Sequence, residues 1–138
     1  MQRIVPMLAY EDGAAATEFL TRAFGFAEKT RVSDNGTITH AELELDGDVV
    51  MLATPTPEYQ GPKRHRESCE AARRWSEVPY VIDGVLVLVD DLDAHFERAR
   101  AHGAAILSEP EDAAPGFRHY RAEDPEGHRW MFGQNVTT

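Results

Sequence analysis

The sequence predicts an α+β fold built from a duplicated β-α-β-β-β module, and three observations carry that reading. Landmark residues recur at one offset: Asp12, Gly25 and Asp46 reappear as Asp90, Gly103 and Asp124. Beyond the turns, where the second copy is slightly longer, Met51 falls on Met131 and Leu52 on Phe132. In both copies the apolar pattern switches in the same order between a strand period and a helix period. A long internal period fixes the architecture before any single element is assigned. The modules are residues 1–53 and 83–138, and residues 54–82 form a connecting arm.

In the first copy, residues 4–10 form a short apolar strand. Ala16, Phe19, Leu20, Ala23 and Phe24 then make one apolar helical stripe. Asp12 suits the N-cap, and Gly25 suits the residue after the last turn. Residues 26–32 read as a strand and Ser33 to Gly36 as a turn. Residues 37–45 and 48–53 are strands joined by Asp46-Gly47, a two-residue hairpin signature. In the second copy, residues 84–89 form a strand. Asp90 opens a helix whose inward face is Leu92, Phe96 and Ala99. Residues 105–108 are a short strand, and a loop holding Pro110, Pro115 and Gly116 leads to a hairpin of 117–122 and 128–132. Half of the eight prolines and the run Lys63-Arg64-His65-Arg66 fall in the arm. Connections of that length serve as lids, interface arms or linkers.

The formal charge of -10 argues against nucleic acid, which demands basic surface. Cys69 is the single cysteine, so no intrachain disulfide forms and a reducing compartment is expected. The N-terminal stretch lacks the apolar core of a signal peptide, and no run reaches the roughly 20 apolar residues of a membrane span. A cytoplasmic protein is the expectation, with no membrane partner.

Hairpin register decides which side chains share a sheet face. The Asp46-Gly47 turn sets Leu45 opposite Asp48 and Glu42 opposite Met51. His40, Glu42, Glu44, Met51 and Ala53 then share one face, and apolar Ala41, Leu43, Val50 and Leu52 turn to the helix. Centring the second turn between Pro125 and Glu126 sets Tyr120 opposite Met131, which puts Arg118, Tyr120 and Met131 on the face away from the helices. A slip of one residue would invert that assignment. The face so built is two methionines among a few polar groups, the mixture small-molecule sites use. His40, Glu42, Met51, Arg118, Tyr120 and Met131 are the candidate ligand contacts, joined by Trp75 and Tyr80 from the arm as aromatics at a pocket mouth or a dimer contact. Each has a plain alternative: solvated pairing for His40 and Glu42, an exposed strand edge for Arg118 and Tyr120, core packing for the methionines, surface packing for Trp75 and Tyr80. No catalytic residue is assigned. His95 and His102 read as solvated, His128 as structural, and Cys69 has no base beside it in sequence.

A duplicated β-α-β-β-β chain resembles the vicinal oxygen chelate superfamily, which includes glyoxalase I, extradiol dioxygenases, fosfomycin-resistance transferases and bleomycin-resistance proteins. The motifs are the helix ending Ala23-Phe24-Gly25-Phe26, the run from Val87 to Asp93, and Glu123-Asp124-Pro125-Glu126-Gly127-His128-Arg129-Trp130. The resemblance implies a curved mixed sheet that pairs into a cup, and a homodimer, with domain swapping as one route. At the positions where the superfamily's metal enzymes carry ligands stand Val5, Met51, Gly84 and Met131. The resemblance is therefore to a branch without metal or other cofactor. The expected function is binding and sequestering a small aromatic or amphipathic molecule, with antibiotics among the candidates. The alternatives are a metal-dependent lyase, isomerase or dioxygenase with a displaced metal, and a dimer with a vestigial pocket.

Overall fold

The Asp12 carboxylate accepts a hydrogen bond from the Ala15 amide and so starts helix α1 (Gly13–Phe24). Gly25 ends it in the left-handed region at φ +84°. The coordinates are a computed structural model describing residues 1–80 and 82–136; Val81 in the arm and Thr137 and Thr138 of the second module lie outside them. Strands β1 (Met7–Ala9), β2 (Ala27–Asp34), β3 (Thr37–Leu45) and β4 (Asp48–Ala53) complete the first module. They form a sheet in the order β1-β4-β3-β2, with β1 parallel to β4. The arm folds into two short helices, α2 (Pro62–Ser68) and α3 (Glu70–Trp75). The second module holds β5 (Gly84–Leu88), α4 (Leu92–Ala101), β6 (Ala105–Ala114), β7 (Phe117–Glu123) and β8 (Arg129–Asn135), in sheet order β5-β8-β7-β6.

The duplicated α+β architecture is thus observed. The second copy differs from the sequence reading in its helix cap, in the length of β6 and in its hairpin register. Asp91, not Asp90, caps α4, because its carboxylate is the one that reaches the Ala94 amide. Asp91 follows β5 at the same spacing as Asp12 follows β1, so it is the structural counterpart of Asp12. The strand expected at 105–108 continues to Ala114, carrying Pro110 through an irregular stretch between Ser108 and Glu111, where no ladder hydrogen bond is required of it.

The first hairpin has the expected register, Leu45 opposite Asp48 and Glu42 opposite Met51. Asp46 and Gly47 both adopt positive φ, the geometry whose twist matches the flanking strands. The second hairpin is shifted by one residue: Tyr120 lies opposite Phe132, and Arg121 opposite Met131. The cause is the turn. Asp124 Oδ1 accepts from the amides of Glu126 and His128, and the Asp124 amide donates to the His128 carbonyl. Gly127 closes the loop at φ +90°. The loop therefore has an odd number of residues and its centre falls on Glu126, not between Pro125 and Glu126.

Both sheets give their helix-side faces to one core. Leu43, Val50 and Leu52 contribute from the first sheet, and Tyr120, Ala122, Trp130 and Phe132 from the second. The Phe24 ring, at the end of α1, lies 4.7 Å from Phe132 and 5.5 Å from Trp130, so aromatic contacts join the modules. Polar contacts join them too. The Tyr10 hydroxyl donates to Asp124 Oδ2 at 2.6 Å, His128 Nε2 donates to the Ala9 carbonyl, and Glu126 accepts from the Glu11 and Asp12 amides.

His95 on α4 bridges the modules. Its Nε2–H donates to the Phe24 carbonyl, which leaves Nδ1 to accept from the Tyr120 hydroxyl at 2.6 Å. Burial holds its pKa below the usual 6.5. The unfolded chain takes up this proton near 6.5 and the native protein only at lower pH. The stabilisation is therefore complete above about pH 6.5 and declines as the pH falls below it. Thermal melts between pH 7 and 5 should show a shallower loss of stability for His95→Gln than for wild type. A second test concerns Asp124: Asp124→Ala strands the Tyr10 hydroxyl, the Trp130 indole N–H and two turn amides. Chemical denaturation should register a loss of at least about 3 kcal/mol.

Candidate functional site

The face of each sheet away from the core is open. In the first module, alternation along β3 and β4 sends His40, Glu42, Met51 and Ala53 there, as the sequence implies. β1 adds Met7, directly beside Met51 in the parallel ladder. Met7, His40, Met51, Ala53 and Pro55 line a cavity of about 350 Å³. His40 Nε2 lies 2.9 Å from Glu42 Oε2; His40 and Thr39 are the polar side chains lining this mostly apolar cavity, with Glu42 behind His40.

In the second module the register of β7 and β8 rearranges the expected set. Tyr120 is fully buried on the helix side, with its hydroxyl on His95. Arg118 lies on the same side of β7 and is paired with Asp93 of α4 at 3.1 Å and with Asp112. Neither reaches the open face. Met131 does, beside Leu86 of β5 and opposite Arg121. Tyr80, Ile82, Leu86, Arg121 and Met131 border a second cavity of about 190 Å³. His119 shares that side of β7, buried, with Nδ1 making no hydrogen bond among the described residues. Burial, followed by the charge of Arg121, holds its pKa below the usual histidine value. The six strand residues expected to share one surface thus divide: four lie on open faces of two different sheets, and two lie in the helix layer.

The arm reaches one of these cavities. Arg66 of α2 grips both oxygens of Glu123 at 2.8 and 2.9 Å. Arg129 shares that carboxylate and donates to the carbonyls of Ser76 and Val78 at the end of α3. These charge-assisted contacts pin the arm to β7 and β8 and set Tyr80 beside Arg121, whose guanidinium carbon lies 6.0 Å from the ring centroid. Trp75 lines neither cavity; its ring meets His65 of α2 edge-on.

The donor set does not suit a divalent metal. The parallel ladders set Met7 beside Met51 and Leu86 beside Met131, in place of the expected Val5 and Gly84. All of these offer aliphatic, thioether or no side-chain ligands, whereas zinc and its neighbours take imidazole, carboxylate or thiolate. Among the described residues no three His, Cys, Asp or Glu side chains gather to hold an ion.

Comparison with known proteins agrees with this fold. The model of the glyoxalase/bleomycin resistance protein/dioxygenase superfamily matches residues 3–132. The chain belongs to that superfamily. An uncharacterised protein of Mycobacterium tuberculosis is 35% identical over 136 residues, covering 95% of this chain and 73% of its own length. The crystal structure of TioX from Micromonospora sp. ML1 superposes with a TM-score of 0.71 at 34% identity, covering 99% of this chain and 98% of TioX. A superfamily member from Burkholderia phytofirmans shares the fold, with a TM-score of 0.65 at 16% identity, over 94% of this chain and 95% of its own. Among the described residues no helix is long and apolar enough to cross a membrane.

Sequence reasoning missed Met7, Leu86, His119 and Arg121. All four follow from the alternation rule once the strand pairings are right. The clue was the Asp124-Pro125-Glu126-Gly127 motif itself, whose leading Asp folds its carboxylate back onto the amides of the turn.

Proposed function

We propose that this superfamily member binds and sequesters a small aromatic or amphipathic molecule on its open sheet faces, in the cytoplasm and without a metal. The observation that carries the reading is the lining. Met7 and Met51 in one cavity, and Leu86 and Met131 in the other, stand among a few polar groups. Thioethers adapt to irregular ligands and make favourable contacts with aromatic ring edges. A mostly apolar wall with sparse polar anchors holds a ligand by burial and fixes its orientation with one or two hydrogen bonds.

The protein acts in this reading as a homodimer. Large apolar side chains stand exposed on the open faces and beside the free edges of the two sheets. Met7 is 80% exposed, Ile4 84%, and Leu86 and Leu88 slightly over half. Apolar surface of this kind, next to unpaired strand edges, is what a second copy covers. The first module of one chain then faces the second module of its partner, and the two shallow cavities become the walls of one cup.

Three measurements test this. Protein purified without a histidine tag should carry well below one equivalent of zinc, nickel, manganese, iron or cobalt; stoichiometric metal on His40 and Glu42 would overturn the metal-free reading. Light scattering at tens of micromolar should give a dimer, and Leu86→Asp should shift it towards monomer. A thermal-shift screen of aromatic antibiotics and metabolites should yield a ligand. Met51→Ala and Met131→Ala should each weaken its binding about tenfold, roughly 1.4 kcal/mol of lost burial. A ligand that binds both variants as tightly as wild type would rule these faces out.

A further inference from the structure

We infer that the ligand is an aromatic anion, and that Arg121 is the group that receives its negative charge. This inference rests on the sequestration reading above and names the chemistry it selects.

This chain commits most of its arginines to carboxylates or carbonyls. Acidic residues outnumber basic ones, 24 to 14. Nine arginines form ion pairs with carboxylates among the described residues. Arg98 is spent on the last carbonyls of α1. Arg3 and Arg121 remain, and neither guanidinium makes an ion pair or a hydrogen bond among the described residues; Arg3 is exposed, whereas Arg121 is half-buried. The Arg121 guanidinium lies over the Tyr80 ring. In a chain with this excess of carboxylates, a half-buried arginine left unpaired has its five donors available for something else.

The surroundings say what. The charged side chains bordering the cavity are Arg121 and Arg129, and Arg129 is already saturated by Glu123 and two carbonyls. The rest of the wall is uncharged and mostly apolar, with Tyr80, Ile82, Leu86, Trp130 and Met131 among its side chains. His119 stands two residues from Arg121 on the same side of β7, with Nδ1 unpartnered. The nearest acid recorded there, Glu111, is 4.0 Å from the other ring nitrogen. A planar ring lying against Tyr80, Leu86 and Met131 would bring an acidic substituent to Arg121, whose flat guanidinium matches carboxylate or sulfonate oxygens in bidentate fashion. The first module's face carries Glu42 instead, so the anion belongs on the second module.

A matched pair of fluorescent probes isolates the charge: 8-anilinonaphthalene-1-sulfonate and N-phenyl-1-naphthylamine share one ring system and differ by the sulfonate. Wild type should bind both. Arg121→Gln should weaken the sulfonate about tenfold, roughly 1.4 kcal/mol, and leave the neutral probe within twofold. Arg121→Lys should recover part of the loss, and Arg118→Gln, in the helix layer, should change neither probe. Melting temperatures identify any variant that fails to fold, and the lysine variant then serves as the comparison. If Arg121→Gln leaves the sulfonate unaffected, or weakens both probes alike, Arg121 does not read charge, and the sequestration reading stands without it. If wild type binds neither probe, the sequestration reading fails and this inference falls with it.

Discussion

The Asp124 carboxylate is almost wholly buried and accepts four hydrogen bonds, from the Tyr10 hydroxyl, the Trp130 indole and the amides of Glu126 and His128. A carboxylate withdrawn from water is tolerated only when such donors replace its hydration. Meeting that constraint shapes much of the chain. The two turn amides fold the β7–β8 loop and so fix which residues of those strands face each other. The Trp130 bond orients the largest ring of the core, against which Phe24 and Phe26 pack. The Tyr10 bond reaches back to the end of β1 and ties the modules together.

From that fixed register the open face of the second module follows. Had β7 been displaced by one residue, Tyr120 and Arg118 would stand where Arg121 and His119 now stand, and the core would lose the ring that anchors His95. The choice between these arrangements is made by burial. Tyr120, Ala122, Trp130 and Phe132 form a continuous apolar set that only the observed pairing delivers to the helices. The chemistry of the binding face is the complement of that requirement: it holds what the core does not take.

Much of the fold was legible in the sequence because repeats, caps and two-residue turns act locally. Asp12 and Gly25 bound α1 by short-range hydrogen bonding and backbone sterics, and Asp46-Gly47 fixes its hairpin without help from the rest of the chain. His40, Glu42 and Met51 were placed on the open face for that reason. Tyr120 and Arg118 were misplaced because a turn of four to five residues does not declare its parity, and parity depends on a side chain bonding back onto amides. The division between Asp90 and Asp91 was equally hidden, since adjacent aspartates differ only in which one the helix geometry brings to the Ala94 amide. The arm's docking rests on Arg66, Glu123 and Arg129, which meet only through long-range packing, and nothing in its local pattern separates Tyr80, which borders a cavity, from Trp75, which does not.

The two halves of this chain began as copies, yet they no longer stand apart. Glu126, from the second module's turn, accepts from the Glu11 and Asp12 amides at the start of the first module's helix. The first amide of each helix is served closer to home, Gly13 by Thr54 and Leu92 by Gln134. Other contacts run the opposite way, for His95 and Arg98 of α4 donate to carbonyls of the first module's helix, and His128 donates to the Ala9 carbonyl. Each helix carries its own aspartate cap. Yet a first half expressed by itself would leave the Glu11 and Asp12 amides and the Tyr10 hydroxyl unserved. A second half by itself would leave Asp124 without the Tyr10 donor and His95 without the Phe24 carbonyl. Duplication usually leaves two parts that can be separated or reshuffled. Here each copy has become part of the scaffold of the other, so rearrangements that divide them act on the folding of both halves.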